Sequence, residues 1–251
     1  MSTQITHMII IIPCYNEFNR INKKSYINFL NDNKNCTIVF AEDGSTDNTL
    51  SVLKEIQEAS NGNVYIHALD NNKGKAAAIR EAVLFSYENG LDFKKLAYID
   101  ADLSVSLEEC LSISDAVTDD IFFAFGSRIL KIDSYIKRRK FRHYSGRFVA
   151  TIISTILKVP IYDTQCGCKV FSRELAAQIF QEKFISKWLF DVEIFFRIIN
   201  LYSTKELQNK SREIPLKSWI DSDDSKVKIT YFFKMWLDLY AINSRYNEKS
   251  K

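Results

Sequence analysis

The chain has 251 residues, which is long enough to bury a substantial core in one large domain or two small ones. Apolar and charged fractions of 46% and 26% are typical of a soluble globular protein, and a formal net charge of +3 is too small to indicate nucleic-acid binding. The five cysteines lack zinc-ligand spacing and a disulfide pattern, so we expect free thiols in a reducing cytoplasm.

Membrane-spanning and secretory segments are not expected. No apolar run approaches the roughly 20 residues that a membrane-spanning helix needs. Residues 8–12 are too few for the apolar core of a signal peptide, and Pro13 ends that run. Residues 148–161 include Lys158 and Pro160, so we predict a core helix there. We therefore expect a cytoplasmic protein, and any contact with a membrane would be peripheral, at its surface.

Strands and helices alternate over the first half of the chain. Short apolar, β-branched runs predict buried strands at residues 8–12, 37–41, 64–69, 96–99 and 121–125. The helices predicted between them cover residues 25–30, a segment from the cap residues 45–48 to Ala59, residues 75–87, and a segment after the capping box at Ser106. This alternation predicts right-handed β–α–β units, a mostly parallel sheet and hence an α/β fold.

The second half of the chain differs in composition. Residues 137–147 hold six basic side chains, which we interpret either as a solvated face or as a site for a phosphate or an acidic membrane surface. After them we expect a helix near 148–157, a polar loop over 163–167, a strand over 169–171, a helix capped by Ser172, and a helix over 191–201. Without a linker or an internal repeat, we expect one domain over residues 1–251, with halves at about 8–128 and 129–251.

Aromatic residues are dense near the carboxyl terminus. Eight of the ten residues in 231–240 are aromatic or apolar, and Lys226, Lys228 and Lys234 lie close by. This mixture is typical of a helix at a membrane interface, but it suits packing onto the sheet equally well.

Two acidic clusters each follow a predicted buried strand. They are Glu42-Asp43 and Asp100-Ala101-Asp102. Open α/β sheets bind ligands at the carboxyl ends of their strands. Two carboxylates one residue apart can hold a divalent cation against a diphosphate, so the second cluster points to nucleotide-sugar chemistry. The first cluster has two interpretations: it caps the following helix, or it accepts hydrogen bonds from a nucleobase or ribose.

Cationic residues lie near two other strand ends. Lys73-Gly74-Lys75 begins the helix after the third strand, but without the spacing of a P-loop. The glycine permits close approach of the backbone, so the lysines, with Arg80, could meet a phosphate or the donor sugar. An ordinary helix start at the surface remains the alternative. Arg128 follows the fifth strand and is expected to point into the same cleft.

These residues together resemble a known family. The strings Ile12-Pro13-Cys14-Tyr15-Asn16-Glu17, Glu42-Asp43-Gly44-Ser45-Thr46-Asp47 and Asp100-Ala101-Asp102, in this order, resemble the inverting glycosyltransferases of family 2, which have the GT-A fold. The segments 72–75, 163–171 and 188–193 are similar to polyprenyl-phosphate sugar transferases, most of all to the dolichyl-phosphate β-glucosyltransferases. The resemblance, from about Met8 to Tyr240, implies a Rossmann-like, mostly parallel central sheet flanked by helices and a carboxyl-terminal helical subregion on the acceptor side.

The resemblance also implies a role for each matching residue. Asp100 and Asp102 would hold Mg²⁺ or Mn²⁺ against the diphosphate of a nucleotide sugar, with UDP-glucose favoured, and Asp43 would meet the base. The nucleotide sugar would contact Pro13, Tyr15, Glu17, Glu42, Asp43, Lys73, Lys75, Asp100 and Ala101. The polyprenyl-phosphate acceptor would contact Arg142, Ser145, Gln165, Lys169 and Glu193. The catalytic residues would be Asp102, Arg128, Arg142 and Asp191. The oligomeric state is not implied.

The sequence departs from the family pattern at several points. Glu42 replaces the first of two usual aspartates and keeps its charge, and Cys168 stands where an aromatic residue is common. Ser104 occupies a position that helps to bind the ion in related mannosyltransferases, so the third protein ligand of the metal stays open. The amino-terminal membrane helix of the eukaryotic glucosyltransferases has no counterpart in this sequence.

The nature of the acceptor decides which chemistry is needed. A sugar hydroxyl requires a general base, whereas a lipid monophosphate already carries about 1.5 to 2 negative charges near neutral pH and mainly requires cations. The basic stretch favours the phosphate. The alternatives are a family 2 enzyme that extends a saccharide with Asp191 or Glu193 as base, a nucleotidyltransferase, whose glycine-rich loop is missing, and a non-catalytic protein that binds nucleotide sugar or lipid.

Overall fold

The computed structural model describes residues 7–60, 62–129, 132, 135–137, 140–220 and 231–247. Within these ranges, the side chains of residues 135, 137, 140–145, 220 and 231–233 lie outside the description.

The described strands form one large and one small sheet. The strands are β1 (Met8–Cys14), β2 (Cys36–Glu42), β3 (Val64–Ala68), β4 (Lys95–Tyr98), β5 (Phe123–Ser127), β6 (Tyr135–Lys137), β7 (Lys169–Ser172), β8 (Ser211–Pro215) and β9 (Ser218–Ile220). The large sheet has seven strands in the order β3-β2-β1-β4-β7-β5-β8, and β6 pairs with β9. Only the pairs of β7 with β4 and β5 are antiparallel among the described pairs of the large sheet. The predicted mostly parallel α/β sheet is confirmed.

Burial on both faces of the sheet explains the continuous apolar runs. In β1, Ile9 and Ile11 pack in the core on one face, while Ile10 and Ile12 pack in the core on the other. Strands covered on both faces need apolar residues at every position, not at alternate ones. The sheet thus brings the carboxyl ends of β1, β2 and β4 to one edge.

Helices cover both faces of the large sheet. They are α1 (Lys23–Asp32), α2 (Thr49–Ala59), α3 (Lys75–Glu88), α4 (Leu107–Ser114), α5 (Lys140–Leu157), α6 (Arg173–Ile179), α7 (Phe190–Leu201), α8 (Thr204–Asn209) and α9 (Tyr231–Asn247). The predicted caps Ser106 and Ser172 are confirmed, because each side chain accepts a hydrogen bond from the backbone three residues on. No described helix is long and apolar enough to cross a membrane.

The structure differs from the sequence prediction mainly in the second half. Helix α5 begins at Lys140, so residues 140–147, with three of the six basic residues of the stretch, lie inside this helix rather than before it. The sequence analysis did not predict β6, β8, β9 or α8. The sequence of β8, Ser-Arg-Glu-Ile-Pro, gives little strand signal because β8 lies at the edge of the sheet and is only partly buried.

Helix α9 has two different faces. Met235, Leu239 and Ile242 are buried in the core that α9 shares with α7. On the other face, Leu237 and Tyr240 are 71% and 72% exposed. One face of this segment is therefore packed against α7, whereas the packing interpretation placed it on the sheet. The interfacial interpretation remains a prediction for the other face.

Candidate active site

A cleft of about 420 Å³ opens at the carboxyl ends of β1, β2 and β4. This is the edge where open α/β sheets bind ligands. The lining residues include acidic, basic and aromatic side chains from five segments of the chain. They are Pro13, Cys14, Tyr15, Glu17, Arg20, Asp43, Asn72, Gly74, Lys75, Ala78, Asp100, Ala101, Asp102, Lys187 and Trp188. The structure thus brings together seven of the residues that we expected to contact the nucleotide sugar, along with Asp102.

The first acidic cluster is bonded to backbone amides. Both oxygens of Glu42 accept hydrogen bonds, from the amide of Gly44 at 3.2 Å and that of Ser45 at 2.6 Å. Asp43 accepts from the amides of Lys73 at 2.7 Å and Gly74 at 2.9 Å. Burial raises the pKa of Asp43, although these two amide donors partly oppose the shift. Glu42 therefore shapes its own loop, and Asp43 joins that loop to the start of α3.

Lys73, which we expected to contact the nucleotide sugar, takes part in these contacts through its backbone. The amide of Lys73 binds Asp43, while its side chain is exposed. Gly74, the N-cap of α3, has φ +94°, a conformation that other residues rarely adopt. Gly44 has φ +65°, and a side chain there would collide with the backbone of Asn71. Gly44 is thus required by the close approach of its loop to the backbone of Asn71, and Gly74 by its own backbone conformation.

The second acidic cluster is bonded to side-chain cations. Asp100 Oδ1 lies 2.5 Å from Lys75 Nζ, and Asp102 Oδ2 lies 2.5 Å from Arg20 Nη2. Asp102 Oδ1 also accepts from the hydroxyl of Ser104 at 2.8 Å. Burial opposes the charge of Lys75, but Asp100 and other nearby carboxylates outweigh that effect and raise its pKa.

Gly167 packs directly against the carboxylate of Asp100. A Cβ atom at position 167 would overlap Asp100 Oδ2, so no other residue fits there without moving this carboxylate. Gly167 lies just before β7, the strand inserted antiparallel beside β4. The glycine in the string Gln165-Cys166-Gly167-Cys168 is therefore explained by its contact with the second acidic cluster.

The carboxylate oxygens of the second acidic cluster are suitable ligands for a divalent cation. Carboxylate oxygens are hard ligands, and a lysine and an arginine show that positive charge is stabilised beside both aspartates. In the part of the chain that the structure describes, no group of three or more acidic, histidine or cysteine side chains could hold a metal ion. Asp100 and Asp102 would therefore share an ion with non-protein ligands, such as a diphosphate and water.

Asp191 lies beneath Lys75 rather than on the wall of the cleft. Its Oδ1 accepts from Tyr98 Oη at 2.5 Å and from Lys169 Nζ at 2.6 Å. Lys169 is fully buried and also donates to the carbonyl of Cys166. Lys75 Nζ lies 5.6 Å from the ring centre of Phe190, and Asp191 contributes to its raised pKa. Lys169 is thus the counter-ion of Asp191 and is not exposed to an acceptor.

Arg128 is paired with a carboxylate outside the cleft-lining set. Its Nε and Nη2 donate to the two oxygens of Asp163 at 2.6 and 2.8 Å. Burial disfavours the charged guanidinium, but Asp163 outweighs burial and raises the pKa of Arg128. Glu213 on β8 accepts from the amide of Asp163 at 2.8 Å, so this pair is fixed to the sheet. Gln165 is half-buried next to this pair, and its backbone N–H donates to Asp163.

The remaining predicted acceptor residues fall into two groups. Glu193 is fully buried and binds Arg197 Nη2 at 2.8 Å, Tyr246 Oη at 3.0 Å and the amide of Ile185 at 2.8 Å, away from the cleft wall. The backbones of Arg142 and Ser145 lie in α5, but their side chains are outside the described part of the structure.

Among the lining residues to which the sequence assigned no site role, three carry a cationic or aromatic side chain. They are Arg20, Lys187 and Trp188. Arg20 follows Glu17 by three residues, and the two side chains pair at 3.3 Å, which is a local signal that was available. Lys187 and Trp188 lie in an irregular segment before α7, and only the folding of distant parts of the chain brings them to the cleft.

Comparison with known proteins agrees with this geometry. The family model described as glycosyl transferase family 2 matches residues 9–180. The dolichyl-phosphate beta-glucosyltransferase of Mus musculus is 30% identical over 254 residues, which are 94% of this chain and 75% of that protein. The protein of the same name from Dictyostelium discoideum is 28% identical over 256 residues, which are 96% of this chain and 75% of that protein.

A solved structure shows the same fold at low sequence identity. It is glucosyl-3-phosphoglycerate synthase from Mycobacterium tuberculosis in complex with Mn²⁺, UDP-glucose and phosphoglyceric acid, with a TM-score of 0.65 and 11% identity. The match covers 95% of this chain and 80% of that one. The family model and the mouse relative together show that this chain belongs to glycosyl transferase family 2 and is a relative of the dolichyl-phosphate beta-glucosyltransferases.

Proposed function

We propose that this protein is a metal-dependent, inverting hexosyltransferase that moves glucose from UDP-glucose to a polyprenyl phosphate. The observation that carries the proposal is the pair Asp100 and Asp102, which lines the cleft and binds Lys75 and Arg20. The curated relatives, named for glucosyl transfer to dolichyl phosphate, favour this donor and acceptor. We also propose that the chain works as one domain, because β7 from its second half lies between β4 and β5 of its first half.

The donor side of the cleft suits a diphosphate. Asp100 and Asp102 would hold Mg²⁺ or Mn²⁺, which would stabilise the negative charge that develops on the departing diphosphate. Lys75, Arg20 and the amino-terminal end of α3 add positive charge around the same space. The neighbour solved with Mn²⁺ and UDP-glucose supports this choice of ion and donor. Glu42 and Asp43 keep the surrounding loops in place.

A phosphate acceptor fits the acceptor side better than a hydroxyl. A hydroxyl would need an accessible base, but Asp191 is mostly buried and its Oδ1 already accepts from Tyr98 and Lys169. The fully buried Glu193 is engaged by Arg197 and Tyr246. The charge of Arg128 is matched by Asp163, so the proposed site for the acceptor phosphate is the basic stretch of residues 137–147.

A lipid acceptor also requires contact with a membrane surface. The exposed face of α9 carries Leu237 and Tyr240, and Phe148 on α5 is 61% exposed. Apolar side chains of this kind are suited to the interfacial region of a bilayer. We propose that this face gives the protein a peripheral position on the membrane that contains its acceptor.

The deciding experiment is a radiolabelled transfer assay. Purified protein is incubated with Mn²⁺, a short polyprenyl phosphate in anionic vesicles, and either UDP-glucose or GDP-mannose. The expected result is label in the organic phase with UDP-glucose only, and none when the matching polyprenyl alcohol replaces the phosphate. Label on the alcohol, or transfer only to saccharides, would instead favour base catalysis by Asp191.

The same vesicles test the membrane face. In a flotation assay, Leu237→Glu is expected to reduce vesicle binding several-fold, because a charge replaces an inserted apolar side chain. Binding equal to that of the unchanged protein would remove α9 from the proposed membrane contact, without affecting the proposed reaction.

A further inference from the structure

One wall of the cleft is an irregular segment between α6 and α7, residues 184–189, here called the rim. Its residues Lys187 and Trp188 line the cleft, and Trp188 is 41% exposed. The stem of Lys187 packs over Gly74 at the start of α3, where an added Cβ would lie 3.0 Å from Lys187 Cδ. The charge of Lys187 also lowers the pKa of Asp43, against the effect of burial, which raises it. The rim therefore faces the donor side of the cleft.

The rim residues lie outside the described helices and strands, although Leu189, the N-cap of α7, accepts hydrogen bonds from the amides of Val192 and Glu193. A segment of this kind keeps one conformation only when side chains bind its backbone groups. The side chains that do so here come from α7 and α9.

A buried pair on α7 fixes the start of this segment. Glu193 accepts from the amide of Ile185 at 2.8 Å and from Arg197 Nη2 at 2.8 Å. Arg197 in turn donates to the carbonyls of Glu182 at 2.8 Å and Lys183 at 2.7 Å, and its guanidinium lies 4.0 Å from the ring centre of Phe184. The Glu193–Arg197 pair thus binds three backbone groups at or just before the rim.

Helix α9 supplies two further contacts. Tyr246 Oη donates to Glu193 at 3.0 Å and accepts from Arg197 Nε at 3.1 Å. Asp238 accepts from the hydroxyl of Ser186 at 2.6 Å. That hydroxyl oxygen accepts from the amide of Leu189 at 2.9 Å and lies 3.3 Å from the amide of Trp188. Asp238 therefore orients the hydroxyl of Ser186, which binds the backbone amides at the end of the rim.

We infer that Glu193, Arg197, Asp238 and Tyr246 are positioning residues that hold Lys187 and Trp188 against the donor side of the cleft. Glu193, which the sequence suggested as a base, acts here through the backbone of Ile185. The carboxyl-terminal helix α9 then supports the active site through the rim, in addition to forming the proposed membrane face. The consequence for the reaction rests on the proposed function, but the positioning itself does not.

The test compares the same chemical change at two places on α9. Tyr246→Phe removes the hydroxyl that binds Glu193 and Arg197, whereas Tyr240→Phe removes a hydroxyl from a residue that is 72% exposed. We expect Tyr246→Phe to raise amide hydrogen exchange in residues 182–189 roughly two- to tenfold, the fold-change that corresponds to one buried hydrogen bond. Tyr240→Phe should leave it unchanged. Equal exchange in both variants would overturn the inference.

A second pair of variants gives a functional readout. Asp238→Ala should weaken the binding of UDP in the presence of Mn²⁺ and raise KM for the nucleotide sugar several-fold, with a smaller change in kcat. Asp238→Asn keeps an oxygen that can accept from Ser186 and should restore most of the affinity. Lys234→Ala, one helical turn earlier and exposed, is the control.

The two readouts separate this inference from the proposed function. If the unchanged protein does not bind UDP, the proposed donor is wrong, while hydrogen exchange still decides whether α9 positions the rim. If Asp238→Ala lowers thermal stability but leaves exchange in the rim and UDP affinity unchanged, Asp238 has only a structural role and the inference is overturned.

Discussion

The two acidic clusters occupy equivalent places at the ends of β2 and β4, yet they are bonded in different ways. Glu42 and Asp43 accept hydrogen bonds from four backbone amides. Asp100 and Asp102 pair with the side chains of Lys75 and Arg20. A backbone amide belongs to a fixed loop, whereas a side-chain cation can move away when another cation arrives.

This difference assigns separate roles to acids that look alike in the sequence. Glu42 is 3% exposed, and its oxygens are used to shape a turn. The side chain of Asp100 is 41% exposed and opens onto the cleft. Glu42 therefore stabilises the loop beside the site, whereas Asp100 is open to an ion and its ligand.

The largest expected effect comes from the second cluster. Asp100→Asn and Asp102→Asn should each lower transfer by about 10³-fold or more, because an ion that stabilises the leaving group is worth several kcal/mol and each 1.36 kcal/mol is a factor of ten. Their free energies of unfolding should change by less than about 1 kcal/mol, since these are partly exposed ion pairs. Initial rates with Mn²⁺ and thermal unfolding measure the two quantities.

Retention of most activity in both variants would place the ion elsewhere. A large loss of stability in either variant would show that the second cluster is as structural as the first.

The sequence predicted the donor side of the cleft more completely than the rest. The apolar runs of β1, β2 and β4 are local signals, and the acids that follow them needed no knowledge of distant contacts. The partners of those acids are distant: Arg20 and Asp102 are 82 residues apart, and Tyr98 and Asp191 are 93 apart. No local pattern reveals such pairs.

In the second half of the chain, distant contacts that the sequence does not reveal are even more important. Glu193 was one of two alternative bases suggested by the sequence, but its partner Tyr246 comes from α9, 53 residues later. Arg128 was expected to point into the cleft, and the sequence did not reveal its partner Asp163, 35 residues later. The sequence identifies charged residues, but whether each is free to act depends on contacts that only the folded chain makes.

An intermediate effect, on stability rather than activity, is expected from the first cluster. Glu42→Ala leaves the amides of Gly44 and Ser45 without their acceptor in a half-buried turn, which should cost about 2–3 kcal/mol and lower Tm by roughly 5–10 °C. Transfer per folded molecule should fall less than about tenfold. Glu55→Ala is the matched control, because Glu55 forms an exposed pair with Lys23 that is worth at most about 1 kcal/mol.

Equal Tm values for the two glutamate variants would contradict a structural role for Glu42. A loss of activity comparable to that of Asp102→Asn, with stability intact, would instead assign Glu42 to the donor.

The smallest expected effect tests whether a metal ion can replace the side-chain cations that pair with the second acidic cluster. Arg20→Met keeps most of the apolar stem but removes the charge that lies 2.5 Å from Asp102. If Arg20 competes with a metal ion for this carboxylate, the affinity for Mn²⁺ without nucleotide should rise about two- to fivefold, which corresponds to an ion pair of about 0.5–1 kcal/mol. Arg212→Met, which removes a cation bonded to the carbonyls of Asn209 and Ser211, should leave the affinity unchanged. Weaker Mn²⁺ binding in Arg20→Met would mean that Arg20 holds Asp102 in place, as the backbone amides hold Glu42, and the contrast between the two clusters would lie only in exposure.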